Sequence, residues 1–152
     1  MGLDTTDIKI LRMLQKDGRA TNVEIAKKSH ISPAACHARL HRIFKLGVIE
    51  KIKAILSPAA LGLEATVMVG VVLDRSTKES FSDFEAAIKK LALIEECYLV
   101  AGDVDYFFKL RVKNISAFND FHAKAIINLP GVRQVRSFFV LKNIKENGDL
   151  VI

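Results

Sequence analysis

Two stretches of this chain, FSDFEAAIKKLALIEECYLV from Phe81 and FNDFHAKAIINLPGVRQVRSFFV from Phe118, repeat one pattern. Phe81 and Phe84 recur as Phe118 and Phe121 at an offset of 37, and Leu91, Ile94, Cys97 and Val100 recur as Leu129, Val132, Val135 and Phe138 at an offset of 38. Each copy pairs a helical apolar stripe with a following strand. The buried-strand pattern TVMVGVVL precedes the first copy, and the alternating YFFKLRV precedes the second. The order is therefore βαββαβ, the signature of a ferredoxin-like split βαβ domain. Such a domain carries both helices on one face of a four-stranded sheet. Phe81, Phe84, Ile88 and Leu91 of one helix face the sheet. Phe118, Phe121, Ala125 and Leu129 face it from the other, which Ser116 caps. Phe108, Leu110 and Val112 form the inward side of YFFKLRV. The opposite sheet face is still apolar, so a second subunit is the expected cover, and the domain is predicted to dimerise.

The first third follows a different rule. Its periodicity is helical throughout. Asp4 caps a first helix with Asp7 in its first turn and Ile8, Leu11 and Leu14 inward; the helix ends at QKDGR, near Gly18. Thr21 and Glu24 form a T-x-x-E capping box for a short second helix, with Ile25 and Ala26 inward. Ser32 caps a third helix, Pro33 opens it, and Gly47 ends it. The fold class is α+β: an N-terminal helix-turn-helix domain over residues 1–50, a strand and linker over 51–64, and a C-terminal ferredoxin-like domain over 65–152.

Charge separates the two parts. Residues 1–56 hold 11 Lys and Arg against 5 Asp and Glu, whereas residues 57–152 hold 12 of each. The whole excess of positive charge thus lies in the helical third, which suits a polyanion partner. On the third helix, Cys36, Leu40 and Ile43 face the core. Ala34, Ala38, His41, Arg42 and Lys45 face outward, flanked by Ala35, His37 and Arg39. Small residues admit the helix into a groove, and basic ones reach base edges or phosphates. The candidate DNA contacts are Ser32, Ala34, Ala35, Ala38, Arg39, His41, Arg42 and Lys45, with Arg42 expected at a base edge and Lys45 at a phosphate. His37 and His41 have the i, i+4 spacing of metal ligands but no third ligand, so no metal is expected. Cys36 at a core position is a small hydrophobe rather than a nucleophile. No catalytic residues and no cofactor are expected. The two cysteines, 61 residues apart, argue for a reducing compartment. No apolar run reaches membrane-spanning length and no leader is present, so a cytoplasmic protein with no membrane partner is expected.

The polar cluster of the C-terminal part is GDVDY. It reads either as an ordinary hairpin turn or as a small-ligand site, in which turn amides and Asp oxygens face the two charges of a zwitterion. His122, beside Phe121, reads as a packed or half-exposed side chain.

Taken together, LDTTDIKILRMLQKDGRATNVEIAKKSHISPAACHARLHRIFKLGVIEKIKAILSPAALGL, GDVDYFFKLRV, LPGVRQVRSFFVLKNIK and the ending LVI resemble the Lrp/AsnC (leucine-responsive/asparagine-responsive) transcription regulators, leaning to the leucine-responsive branch. The resemblance covers nearly the whole chain. It implies that the N-terminal part is a winged helix-turn-helix domain that binds double-stranded DNA as a dimer, with the helix from Pro33 as recognition helix. It implies a C-terminal domain that senses an amino acid, leucine or another, and assembles homodimers, often as a tetramer of dimers. The effector would sit between dimers near Gly102, Asp103, Val104 and Asp105, and Phe138, Phe139 and Val140 of the last strand would influence the response. His37, His41 and Val104 depart from common family residues, which leaves operator and effector identity open. The alternative is a nucleoid-type architectural protein with weak sequence preference.

Overall fold

The computed structural model describes residues 2–152, which divide into two compact units, residues 2–55 with 145–152, and residues 56–144. In the first unit, α1 spans Thr5–Lys16, α2 Asn22–Ser29 and α3 Pro33–Lys45. The expected caps form. The Asp4 carboxylate accepts from the amides of Thr6 and Asp7, both at 2.9 Å. Thr21 and Glu24 close their capping box, with the Thr21 amide donating to Glu24 at 2.8 Å. Gly47, at φ 70°, takes the left-handed turn that ends α3. His30 holds the same conformation, φ 56°, in the turn between α2 and α3. The Asn22 side chain donates to the Pro33 carbonyl at 2.9 Å and so ties the start of α2 to the start of α3.

The core of this unit is Ile10, Leu11, Ile25, Ala26, Cys36 and Ile43, all buried. The inward stripe of α1 differs from the expected Ile8, Leu11 and Leu14. Asp7, Ile10 and Leu11 are its buried residues, and Ile8 and Leu14 are only partly covered. A carboxylate heads the buried stripe, and an apolar pattern alone does not show it. The strand expected within 51–64 is absent. Residues 51–57 are irregular and a single 3-10 turn follows at Ala59–Leu61. A strand needs a neighbour for its amides and carbonyls, and this chain supplies none there. Residues 145–152 also group with the helical unit: the Leu150 amide and carbonyl both bond the Gln15 side chain, at 2.8 and 3.2 Å.

The second unit runs β1 (Ala65–Leu73), α4 (Lys78–Ile88), β2 (Ile94–Leu99), β3 (Tyr106–Val112), α5 (Ile115–Lys124) and β4 (Val132–Phe139). The strand order is β2-β3-β1-β4 and every pairing is antiparallel, as the ferredoxin-like expectation requires. Val67, Val69, Val71 and Leu73 of β1 and Tyr106, Phe108, Leu110 and Val112 of β3 are buried with Phe84, Ile88, Phe118, Ile126 and Leu129. α5 is capped by Asn114, not Ser116: the Asn114 side chain accepts from the Ala117 amide at 2.9 Å. It also stops at Lys124, where a 3-10 turn carries Ile126 into the core. β4 ends at Phe139. Tyr106 is the core's polar anchor. Its hydroxyl donates to Glu85 at 2.8 Å, and burial followed by that carboxylate drives its pKa far above the ordinary value. His122 is half-buried against Phe118.

Candidate nucleic-acid interface and effector turn

The α3 surface divides by what each side chain does. Ala34, Ala35, His37, Ala38, His41 and Lys45 are exposed. Arg39 and Arg42 are half-buried and turn toward α1. One Arg39 nitrogen, Nη1, bonds Asp4 at 2.6 Å and Asp7 at 2.8 Å. The Arg42 guanidinium bonds the other Asp7 oxygen. Asp7 has no exposed surface, and its carboxylate also accepts from the Asp4 amide at 3.0 Å. Burial works against its charge, but that amide and the two guanidiniums outweigh it and hold the carboxyl below the ordinary range. Asp4 is likewise lowered, first by its bond to Arg39.

This arrangement corrects the placement of Arg42. The helical-wheel reading set it on the outward face; its guanidinium is instead engaged by a buried acid of another helix. A long side chain at the edge of a face follows charge, not the direction of its Cβ. The outward cation is Lys45, and His37 joins His41 as an exposed imidazole. The signal was present in the sequence: D-x-x-D opens α1 and R-x-x-R lies on α3, each pair one helical turn apart. Ser32 also has a structural task, since its hydroxyl accepts from the Ala35 amide at 3.1 Å. Ser32→Ala is expected to lower stability by about 1 kcal/mol through loss of the cap. An unchanged melting temperature would show that the cap contributes nothing.

Cys36 is fully buried, and burial raises its thiol pKa, which suppresses the thiolate. No group of three or more His, Cys, Asp or Glu is placed to hold a metal among the described residues.

In the second unit, the turn from Val100 to Asp105 joins β2 to β3. The β1–β3 ladder ends at Val71 and Tyr106, and Asp105 extends it. Its amide donates to the Val71 carbonyl at 2.8 Å and its carbonyl accepts from the Val100 amide at 2.9 Å. Its carboxylate accepts from the Leu73 amide at 2.7 Å, beside the irregularity between Val72 and Leu73. Asp105 is thus a staple and Asp103 is the exposed carboxylate of the turn. Gly102, at φ 148°, occupies backbone space that other residues rarely adopt. Among the described residues, the amides of Gly102, Asp103 and Val104 donate to no protein acceptor.

The side chain of Val104 lies over Gly70, where a Cβ would come within 3.0 Å of it and within 3.3 Å of Phe107. Phe107 in turn stacks on Phe138, ring centroids 6.0 Å apart. Val104, Phe107 and Phe138 therefore share the open sheet face. Phe139 turns to the other face and meets Phe118 edge-on at 5.2 Å. Val140 continues the ladder, its amide bonded to the Thr66 carbonyl at 2.9 Å. Gly70 and Phe107 were missing from the sequence reading; a glycine inside an apolar strand was the available sign of close approach.

Residues 3–50 match the model of a winged helix-turn-helix DNA-binding domain, and residues 66–150 match that of the Lrp/AsnC ligand binding domain. The chain belongs to the Lrp/AsnC family. Among its relatives is the leucine-responsive regulatory protein of Salmonella typhimurium, 40% identical over 99% of this chain and 92% of that protein. The Escherichia coli K12 leucine-responsive regulatory protein is 39% identical over the same shares. A Neisseria meningitidis transcriptional regulator in complex with L-Met has TM-score 0.94 at 34% identity, covering 99% of this chain and 97% of that one. An AsnC family regulator from Agrobacterium tumefaciens gives 0.92 at 30% identity, covering 98% and 97%. This Lrp/AsnC chain is thus a transcription regulator rather than an enzyme, with a DNA-binding and a ligand-binding domain. No helix among its described residues is long and apolar enough to cross a membrane.

Proposed function

We propose that this Lrp/AsnC regulator binds specific duplex sequences as a dimer and changes affinity and assembly when an aliphatic amino acid binds near the Val100–Asp105 turn. The observation that carries the reading is the pairing, in one chain, of a helix-turn-helix exposing small and basic residues with a turn offering open amides beside a free carboxylate. Ala34, Ala35, Ala38, His41 and Lys45 meet the DNA groove, and Ser32 sets the start of the helix. At the turn, the Gly102–Val104 amides suit the effector's carboxylate, and Asp103 suits its ammonium. Phe107 and Phe138 lie on the same face as Val104. Leucine and methionine are the first effectors to test, since relatives are named for the one and a neighbour's structure holds the other.

The open sheet face is the surface for homodimerisation: Tyr98 and Phe138 remain half exposed there in the single chain. Dimers assemble further as a tetramer of dimers, with the effector between them, so effector affinity and assembly state are reciprocally coupled. Fluorescence anisotropy on the gene's own upstream DNA and on a scrambled duplex, at several salt concentrations with a panel of amino acids, tests the reading. The expected result is upstream-preferring, salt-steep binding that one or more amino acids alter, with mass photometry showing a shift between dimer and octamer. Equal affinity for both duplexes would overturn it in favour of an architectural role.

A further inference from the structure

The four charged side chains that join α1 to α3 are not equivalent. Asp7 is fully buried and its two oxygens take three donors, from Arg39, Arg42 and the Asp4 amide. Asp4 is half exposed, and besides its cap bonds it holds only Arg39. Arg39 spends one nitrogen on both acids; among the described residues its Nε and Nη2 meet no protein acceptor. Arg39 and Asp4 border an open groove of about 440 Å³, which Gly2, Ala35, Ala38 and Arg42 complete. Ala35 and Ala38 of the proposed recognition helix line it, and there is room in it for a phosphate group.

From this asymmetry we propose that Arg39 is an exchangeable DNA contact gated by Asp4. In the free protein Asp4 occupies its guanidinium; on the duplex a backbone phosphate takes the place of Asp4, while Asp7 keeps its hold. The physical reason is desolvation. Asp4 keeps half its surface in water, so releasing Arg39 strands no buried charge. Releasing Arg42 from Asp7 would leave a buried carboxylate short of a partner, so Arg42 stays and fixes the recognition helix against α1. Arg39 is then a phosphate contact and Arg42 a positioning residue. This inference rests on the DNA-binding reading above.

A double-mutant cycle on the full chain tests it, using the upstream and scrambled duplexes over a salt series that gives the slope, with affinities compared at about 0.15 M, where distant charges are screened beyond about 8 Å. Asp4→Asn keeps a good helix cap and removes the competitor. It is expected to raise affinity for both duplexes by about two- to fivefold, the worth of an exposed ion pair. In an Arg39→Gln background that gain vanishes, and Arg39→Gln alone lowers the salt slope by about one. Arg42→Gln lowers the melting temperature and leaves the salt slope unchanged. An equal gain from Asp4→Asn in both backgrounds would mean a general charge effect and overturn the gate. So would an unchanged slope in Arg39→Gln, or a slope lost in an Arg42→Gln protein whose circular dichroism shows the helical unit still folded at the assay temperature. Absence of salt-dependent binding by the unaltered protein would instead remove the DNA-binding reading, and the gate with it.

Discussion

Asp7→Ala is expected to destabilise the helical unit by about 2–4 kcal/mol, through the loss of charge-assisted bonds to two guanidiniums that keep about a third of their surface in water and of the bond to the Asp4 amide. The carboxylate is wholly buried and serves Arg39, Arg42 and the Asp4 amide at once, so its loss frees the Arg42 guanidinium, leaves Arg39 to Asp4 alone and opens the capping box. A unit of this size commonly has a total stability of the same order, so α1 and α3 should lose most of their cooperative structure. Hydrogen exchange provides the measurement. Amides of α1 and α3 should lose protection while those of β1 and β3 keep theirs. Unchanged protection in α3 would mean that the apolar core alone positions the recognition helix.

The same site fixes the direction of the pH response. The folded-state pKa of Asp7 lies below the ordinary 3.8, so its contribution is complete above that value and is lost as pH falls through the lowered pKa. Asp4 acts in the same sense. The helical unit should therefore hold these contributions unchanged through neutral pH and lose them only in strong acid. A circular-dichroism acid titration should show a steep fall there, blunted in Asp7→Asn.

Asp105→Ala is expected to weaken effector binding by tenfold or more and to lower the stability of the second unit by about 1–3 kcal/mol, since it leaves the Leu73 amide without its acceptor. The turn from Val100 to Asp105 is held to β1 by the Asp105 amide and carboxylate, and both the open amides and Asp103 depend on that hold. Asp105→Asn keeps an accepting oxygen and should recover most of the stability. Asp103→Asn should leave the melting temperature unchanged while weakening effector binding through its lost charge. Calorimetric titration with leucine and methionine, beside thermal melts, separates these outcomes. An Asp105→Ala protein that binds and melts like the parent would show that the turn needs no staple.

What could be read early and what could not follows from the kind of signal each feature leaves. The capping residues Asp4, Thr21, Glu24 and Ser32 were legible because a cap is a local bond between residues two or three apart. The βαββαβ order was legible because periods of two and 3.6 differ over a few residues. The cap of α5 was misplaced by two residues because Asn114 and Ser116 are both competent caps, and only the backbone path chooses. The strand expected after residue 50 failed for a related reason: an extended, apolar sequence becomes a strand only where another strand meets it.

At the candidate sites the division is sharper. The sequence determined which residues carry charge, that the excess of cations lies in the helical third, and that GDVDY is a turn between two strands. It did not determine partners across elements. The tertiary structure alone decided that Asp7 is buried between Arg39 and Arg42, that Asp105 staples while Asp103 stays exposed, and that Gly70 makes room for Val104. Periodicity reports the direction of a Cβ atom. Where a long or charged side chain ends depends on what faces it from another element, and that is fixed only when the elements pack.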